Sequence, residues 1–458
     1  MKVKGAILAL AIGLVIIVLP IKWSFALLSM ATLSIVAFLW PFTAFPFLAL
    51  SIPLGSIREI GIGPAKVGLT ELAVLLVASV WLARKLALRE EWRGLGPIFV
   101  PFLVLYGAML VSVIQAPSLE HSLKELLKWG EVLLVYLILS TSLKEKEIPW
   151  VMGGLLLAGL VEGLVGVYQF FTRTGPEHFV VMGRFMRAYG HFMQPNPFGG
   201  YMGLVMPLAL ALGLGFSLDG EIPWRLRLGL ALPCLSVALL TGIALVMSWS
   251  RGAWLGAMVA VACVVMLVDK RLALALGILA LALILLVRPA LQPLLARFQE
   301  LTVWPGLEDL RTIEITDENY AVVERLAHWD AAVRMWGDNL WFGVGIGNYE
   351  PVYSAYALPR WPEPLGHAHN YYLNIAAETG LLGLGAYLLF WGWVFFQCFK
   401  AIGSQAGWRR ALLIGAVGSF VHLSVHNFFD NLYVHGIYLH VAALLGLVSV
   451  LRDLCARQ

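Results

Sequence analysis

The chain has 458 residues, of which 60% are hydrophobic and only 13% charged, and its mean hydropathy is +0.82. A soluble fold of this size has no interior large enough for that much apolar surface, so the composition excludes a soluble enzyme and points to a polytopic membrane protein. The net charge of +4 says little by itself and its distribution says more; no nucleic-acid partner is expected.

A helix needs roughly 20 mainly apolar residues to cross a bilayer. By that measure candidate spans fall near 5–21, 23–40, 42–55, 69–86, 97–115, 128–143, 149–171, 198–216, 228–247, 253–268, 271–288, 376–399, 408–428 and 432–451. Some are short enough to be half-helices, so about 12 to 14 spans are expected. The opening Met1-Lys-Val-Lys4 and the apolar run behind it resemble a signal peptide, but no A-x-A-like cleavage site follows; this is read as a first anchor.

Basic residues orient the chain. If Lys2 and Lys4 are cytoplasmic, alternation sends Arg84, Lys85, Arg89, Arg93, Lys144, Lys146, Arg225, Arg227, Lys270, Arg271, Lys400, Arg409, Arg410, Arg452 and Arg457 to the same side. That is about 17 cations against about 9 in the short loops opposite, the bias of the positive-inside rule, and it places both termini in the cytoplasm. Three stretches then lie outside: 173–197, the turn Ser248-Trp-Ser-Arg251, and a long insertion from about 289 to 375. The expected organisation is an N-terminal transmembrane bundle over 1–288, an external loop domain with amphipathic helices over 289–375, and C-terminal transmembrane helices over 376–458. Cys234, Cys263, Cys398 and Cys455 all fall in spans or at the inner face, so no external disulfide is expected.

Arg187, in RAYGHFMQPNPFGGY, precedes a span, and Arg251, in SWSRGAWLG, sits in a tight turn. A guanidinium at the hydrocarbon boundary is costly unless paired or hydrated, which marks both as candidate ligands for an anion; snorkelling, or pairing with Glu177, is the structural alternative. Arg184 lies close enough in sequence to replace Arg187. Asn196-Pro197 has the chemistry of an N-cap with proline at the first helical position, and Gly199-Gly200 allows close packing. Ser248 and Ser250 are placed to cap the helix that opens after Arg251, whose positive dipole end would face outward.

In the insertion, Leu326, Trp329, Val333 and Trp336 recur at the spacing of an amphipathic helix, which the cluster Gly343-Val-Gly-Ile-Gly347 ends. No strand precedes these glycines and no helix-opening lysine follows, so the signal for a nucleotide loop is weak. Prolines at 351, 359, 362 and 364 with Trp361 describe an aromatic loop suited either to sugar stacking or to the membrane interface. Arg325 and Arg334 add positive charge to the site or form a solvated face.

HAHNYYLNIAAETG, 367–380, then returns the chain to the bilayer. A neutral imidazole accepts a proton near neutral pH, so His369 is a candidate general base on the same face as the two arginines, with His367 in reserve. His422, His426 and Asp430 are spaced four apart and would present metal ligands or a proton relay. Without cysteine partners or an H-E-x-x-H arrangement no metal is expected there, and Asp430 is read as an acid that orients His369 or an arginine.

The segments RAYGHFMQPN, SWSRGAWLG and HAHNYYLNIAAETG resemble signature stretches of the O-antigen ligase and polymerase superfamily, which includes bacterial O-linked oligosaccharyltransferases. The resemblance implies a membrane glycosyltransferase fold of the C type at the periplasmic face of a bacterial inner membrane. It also implies metal-free, inverting transfer of a glycan from undecaprenyl diphosphate to an acceptor hydroxyl, without a cofactor. Attachment of O-antigen to a lipid A-core sugar is the first expectation; polymerisation of the glycan and transfer to protein are the alternatives. Arg187 and Arg251 would bind the diphosphate and His369 would be the base, with Asn370 and Gly380 completing the ligases' histidine, small polar residue, nine residues, glycine pattern. The glycine–x–x–threonine–glycine that often follows is not met by Gly380-Leu-Leu-Gly383, which bears on the acceptor.

That chemistry also stands on its residues. A sugar hydroxyl is a poor nucleophile until a base takes its proton, and arginines stabilise the charge that grows on a departing diphosphate. The chain has no D-x-D metal motif. A transporter or lipid flippase is the contrasting class, but no internal repeat is evident and the charges gather at one face instead of the midplane.

Overall fold

The computed structural model describes residues 31–57, 60–62, 65–90, 94–181, 183–286, 310, 312–316 and 319–456. The expected first anchor at 5–21 and residues 287–309 of the insertion lie outside them. In chain order the main helices are α1 (Ala44–Leu54), α2 (Leu69–Ala87), α3 (Phe99–Ser112), α4 (Leu119–Ser142), α5 (Ile148–Thr172), α6 (Pro195–Leu218) and α7 (Trp224–Met247). They continue with α8 (Arg251–Val268), α9 (Lys270–Leu286), α10 (Tyr320–Asp338), α11 (Tyr349–Tyr356), α12 (Tyr371–Ile402), α13 (Gly407–His426) and α14 (Ile437–Ala456). Two short antiparallel hairpins pair Ile60–Ile62 with Ala65–Val67 and Val180–Val181 with Phe185–Met186.

The protein is an all-α polytopic membrane protein. Among the described residues six helices are long and apolar enough to cross a membrane: Glu145–Thr172, Pro195–Leu218, Trp224–Met247, Arg251–Val268, Tyr371–Ile402 and Ile437–Leu454. Several other expected spans are helical but carry charge: α2 holds Glu71, Arg84 and Lys85, and α4 holds Glu120, Lys124, Glu125, Lys128 and Glu131. Two more, Pro41–Ile57 and Phe99–Gln115, are apolar but short.

The bundle is built around α6, which packs against α7, α8 and α13. Between helices in lipid the hydrophobic effect gives no net drive, so close packing of small residues carries association. Gly199, Gly200 and Gly203 on α6, with Gly252 and Gly256 on α8, form that surface: a Cβ on Gly203 would overlap the His422 ring, and one on Gly200 the Leu432 side chain. His422 and His426 of α13 therefore fill notches between α6 and α8, ring centroids 5.5 Å apart; His426 also lines a cavity that Asp430 lines.

The insertion is a folded layer docked on the start of α12. Ala331, Ala332, Met335, Val344, Tyr349 and Tyr353 share a core with Ala368 and Ala377. α10 is amphipathic as expected, but its buried face is Val323, Leu326, Ala327, His328, Ala331, Ala332 and Met335, while Val333 is exposed. The stripe is rotated because alanines let α10 lie close to α12, a contact that hydrophobicity alone does not mark. α12 begins at Tyr371 and is broken at Gly380 (φ 64°). The broken turn is completed from the insertion: Leu381 N donates to Leu340 O at 2.8 Å and Val344 N to Ala377 O at 2.9 Å. The HAHN segment is thus held between insertion and bundle.

Candidate active site

Arg187 is positioned from three sides. Its backbone N–H donates to Phe179 O at 2.8 Å, its Nε to Ser248 O at 3.0 Å and its Nη2 to Asn196 Oδ1 at 3.2 Å. The next residue, Ala188, donates to Met247 O at 2.9 Å. Asn196 is therefore a partner of the arginine and not the expected cap; Gln194 holds the cap position and Pro195 the first helical one. Arg251 opens α8 three residues beyond Ser248, after a turn in which Trp249 takes a left-handed conformation (φ 58°). Ser250 holds the cap position of α8, but neither serine caps through its side chain: Ser248 Oγ accepts from Ser250 N at 3.2 Å.

Two residues of α5 that sequence inspection passed over fasten the Arg187 loop. Glu162, fully buried, accepts from His191 N at 2.6 Å and pairs with His191 Nδ1 at 2.8 Å. Gln169, two turns on, accepts from Gly190 N at 2.7 Å and donates to Gly190 O at 3.1 Å. Gly190 is left-handed (φ 55°), and a Cβ there would overlap Glu162 Oε1, so only glycine fits beside the carboxylate. Donating its ring N–H to the Glu162 carboxylate raises the pKa of His191. The signal was available as a lone acid inside an apolar span, a pattern that in a membrane marks a paired group.

Arg187, Arg251 and Arg325 line one cavity of about 280 Å³ with Asn196, Trp329 and Asp430. Among the described residues that line it, three guanidinium groups stand with one carboxylate, a set of donors suited to an anion. Arg184 does not line it; its guanidinium lies over the Phe185 ring, 5.2 Å from the centroid. Arg334 is held by Asp330 on its own helix and by Tyr356 O.

His369 stands behind the cavity wall, touching two residues that line it: its Nδ1 is 3.4 Å from Asp430 Oδ1, and its carbonyl accepts from Trp329 Nε1 at 3.4 Å. The first contact is close enough for charge interaction but outside hydrogen-bond geometry, and Nε2 is buried without a partner. His369 is left-handed (φ 50°), a conformation that costs a non-glycine residue roughly 1–3 kcal/mol and persists only where the surroundings enforce it. Asn370 is occupied as the N-cap of α12, accepting from Tyr372 N at 3.0 Å and Leu373 N at 3.1 Å.

His367, His369 and Asp430 bring donor atoms within 4.8 Å of one another, the spacing of a cation site. The tautomer of His367 argues against that use. Its Nδ1 accepts from His369 N at 3.0 Å, so in the neutral ring Nε2 carries the proton and points it towards Asp430 Oδ1, 3.8 Å away. Binding a metal through Nε2 would require an imidazolate. Burial, with the charge of His369 beside it, lowers the pKa of His367 to about 3, which keeps the ring neutral. Burial alone would raise the pKa of Asp430, but the His369 imidazole, with His367 and His426, outweighs it and holds the carboxylate far below its usual range. An ionised Asp430 facing His369 Nδ1 leaves the lone pair on Nε2, the arrangement a general base needs. Asp430→Asn keeps the shape and removes that charge; kcat should fall by roughly 100- to 10,000-fold in a steady-state transfer assay with donor affinity retained. Weakened donor binding at unchanged kcat would instead assign Asp430 to the anion cavity.

A second, apolar groove of about 680 Å³ lies between α7, α8 and α9, lined by Leu245, Val246, Trp254, Met258, Val261 and Met266 among others. Trp249 lines the cationic cavity and Trp254 the groove, and their rings are 5.5 Å apart. The two spaces are therefore neighbours, one suited to an anionic head and the other to hydrocarbon.

Residues 235–388 match a family model described as O-antigen ligase. Over that third of its length the chain is similar to the O-antigen ligases. The match runs from within α7 to within α12, takes in Arg251, Arg325 and His369, and supports the O-antigen ligase superfamily and a membrane glycosyltransferase-like function. Arg187 and Asp430 lie outside the matched residues and are brought to them through the packing of α6 and α13 on α8. No curated protein matches the chain.

Proposed function

We propose that the chain transfers a glycan from undecaprenyl diphosphate to an acceptor hydroxyl, with a lipid A-core sugar as the acceptor, by inverting and metal-independent displacement. The observation that carries this is the cavity shared by Arg187, Arg251 and Arg325, walled by the carboxylate that faces His369 and set beside an apolar groove. The diphosphate would lie among the guanidinium groups, which stabilise the charge that develops as the anomeric C–O bond breaks. The carrier chain would run into the groove below Trp254. His369 Nε2 would take the acceptor proton while Asp430 stabilises the imidazolium formed.

The fold would be that of a C-type glycosyltransferase in a bacterial inner membrane, with the site periplasmic and both termini cytoplasmic. Supporting this orientation, Lys144 and Lys146 precede α5 and Arg409 and Arg410 lie in the first turn of α13, with Arg409 paired to Glu145. The division of the chain at about 288 and 375 belongs to the same proposal.

Purified protein in proteoliposomes without an ion gradient, given an undecaprenyl-diphosphate glycan and lipid A-core, should yield the glycosylated lipid at a rate unchanged by EDTA. Activity restored only by added divalent ions would overturn the metal-free step. Lengthened carrier-bound glycan, or glycosylated protein, would move the assignment to a polymerase or a protein oligosaccharyltransferase; translocation of the lipid without a new glycosidic bond would make it a transporter.

A further inference from the structure

Arg325, His328 and Trp329 lie three and four residues apart on α10 and so share one face of it. Arg325 lines the cationic cavity, its Nη1 spans 3.3 Å to Ala321 O, and its Nε is buried without a hydrogen-bond partner. Trp329 lines the same cavity and donates from Nε1 to the His369 carbonyl. The His328 ring meets the edge of His369 at 5.7 Å, stacks on Tyr353 at 4.7 Å and is tied through Nδ1 to Tyr349 Oη at 3.0 Å. One helix therefore brings a guanidinium group to the anion cavity and touches the candidate base at both its backbone and its ring.

The backbone of His369 depends on such support. A left-handed histidine does not hold itself, and its two peptide groups are anchored at different places: its N–H on His367 Nδ1 and its C=O on Trp329 Nε1. In this state Nε2 has no exposed surface, so an acceptor hydroxyl cannot reach it until the side chains around it shift, His328 of α10 among them. An anion that draws in the Arg325 guanidinium supplies a force on the same helix that holds His369.

We propose that Trp329 is a positioning residue for His369, and that α10 couples occupation of the arginine cavity by a diphosphate to the uncovering and alignment of His369 Nε2. The proposal rests on the reading of that cavity as the diphosphate site. It makes donor binding the first step and withholds the base until the donor is in place.

Hydrogen exchange on the full chain in nanodiscs, with and without undecaprenyl diphosphate, tests the coupling. In the unmodified protein the lipid should slow exchange over 249–254 and alter it over 366–372. Trp329→Phe, which keeps the ring and loses the N–H, should keep the change over 249–254, lose that over 366–372, and lower kcat about 10- to 100-fold with little change in donor KM. Arg325→Gln should likewise lose the response over 366–372. If the lipid changes neither segment, the diphosphate site itself is wrong. A change over 249–254 alone in the unmodified protein, or a Trp329→Phe variant that responds as the unmodified protein does, would refute the coupling and leave the diphosphate site standing.

Discussion

Replacing His369 with alanine is expected to lower kcat for glycan transfer by about 100- to 10,000-fold, the range typical of a positioned general base, while binding of the carrier lipid persists. The separation follows from the geometry: His369 does not line the cationic cavity and meets it only through Asp430 and Trp329. The loss should therefore appear in turnover at saturating donor. Single-turnover rates with preloaded lipid-linked glycan are the direct measurement, with lipid affinity determined separately. Because alanine is also strained at φ 50°, His369→Asn, which tolerates the left-handed region better, serves as a second variant and should be equally inactive. Lost lipid binding with normal turnover at saturation would place His369 in the anion site. Activity at the unmodified level would transfer the base role to His367.

Arg251→Ala and Arg187→Ala should each reduce kcat/KM for the lipid-linked donor by roughly 100- to 1,000-fold, since each removes a donor aimed at charge that grows in the transition state. Lysine substitutions should separate the two. Lysine keeps the charge at either position but has no planar fork, and at position 187 one guanidinium holds both Ser248 O and Asn196 Oδ1. Arg187→Lys should therefore recover little and should also loosen the turn that presents Arg251, whereas Arg251→Lys should recover part of the loss. Donor saturation curves for the four variants would check this. Unmodified kinetics in Arg251→Ala would remove that residue from the site, and full recovery by Arg187→Lys would show that the fork to Ser248 and Asn196 is incidental.

Much of the fold was legible because its cause is local. A run of apolar residues must be helical in lipid whatever its neighbours, since no water is present to satisfy its backbone, and the spans of α5 to α8 and α12 can be read that way. The 3.6-residue period in the insertion likewise predicts α10. The period predicts a helix but not which face is buried: Val333 is exposed, and the true contact face runs through alanines and His328. Glycine pairs predicted a close approach, but only the packed bundle shows that His422 and His426 fill the notches, with His426 still beside Asp430 in the cavity lining.

By itself the sequence determined a polytopic helical membrane protein whose arginines and histidine-rich segment belong to one face, because hydrophobic runs and charge bias act residue by residue. Tertiary structure alone decided that Arg187, and not Arg184, lines the cavity; that Asn196 is occupied by that arginine and Asn370 by a cap; that Glu162 and Gln169 fasten the loop; and that Asp430 lies between the arginine cavity and His369. Each of these depends on which hydrogen-bonding partner a polar side chain meets when helices distant in sequence pack together. In a low-dielectric interior that partner decides whether a group is a ligand, a cap or an anchor.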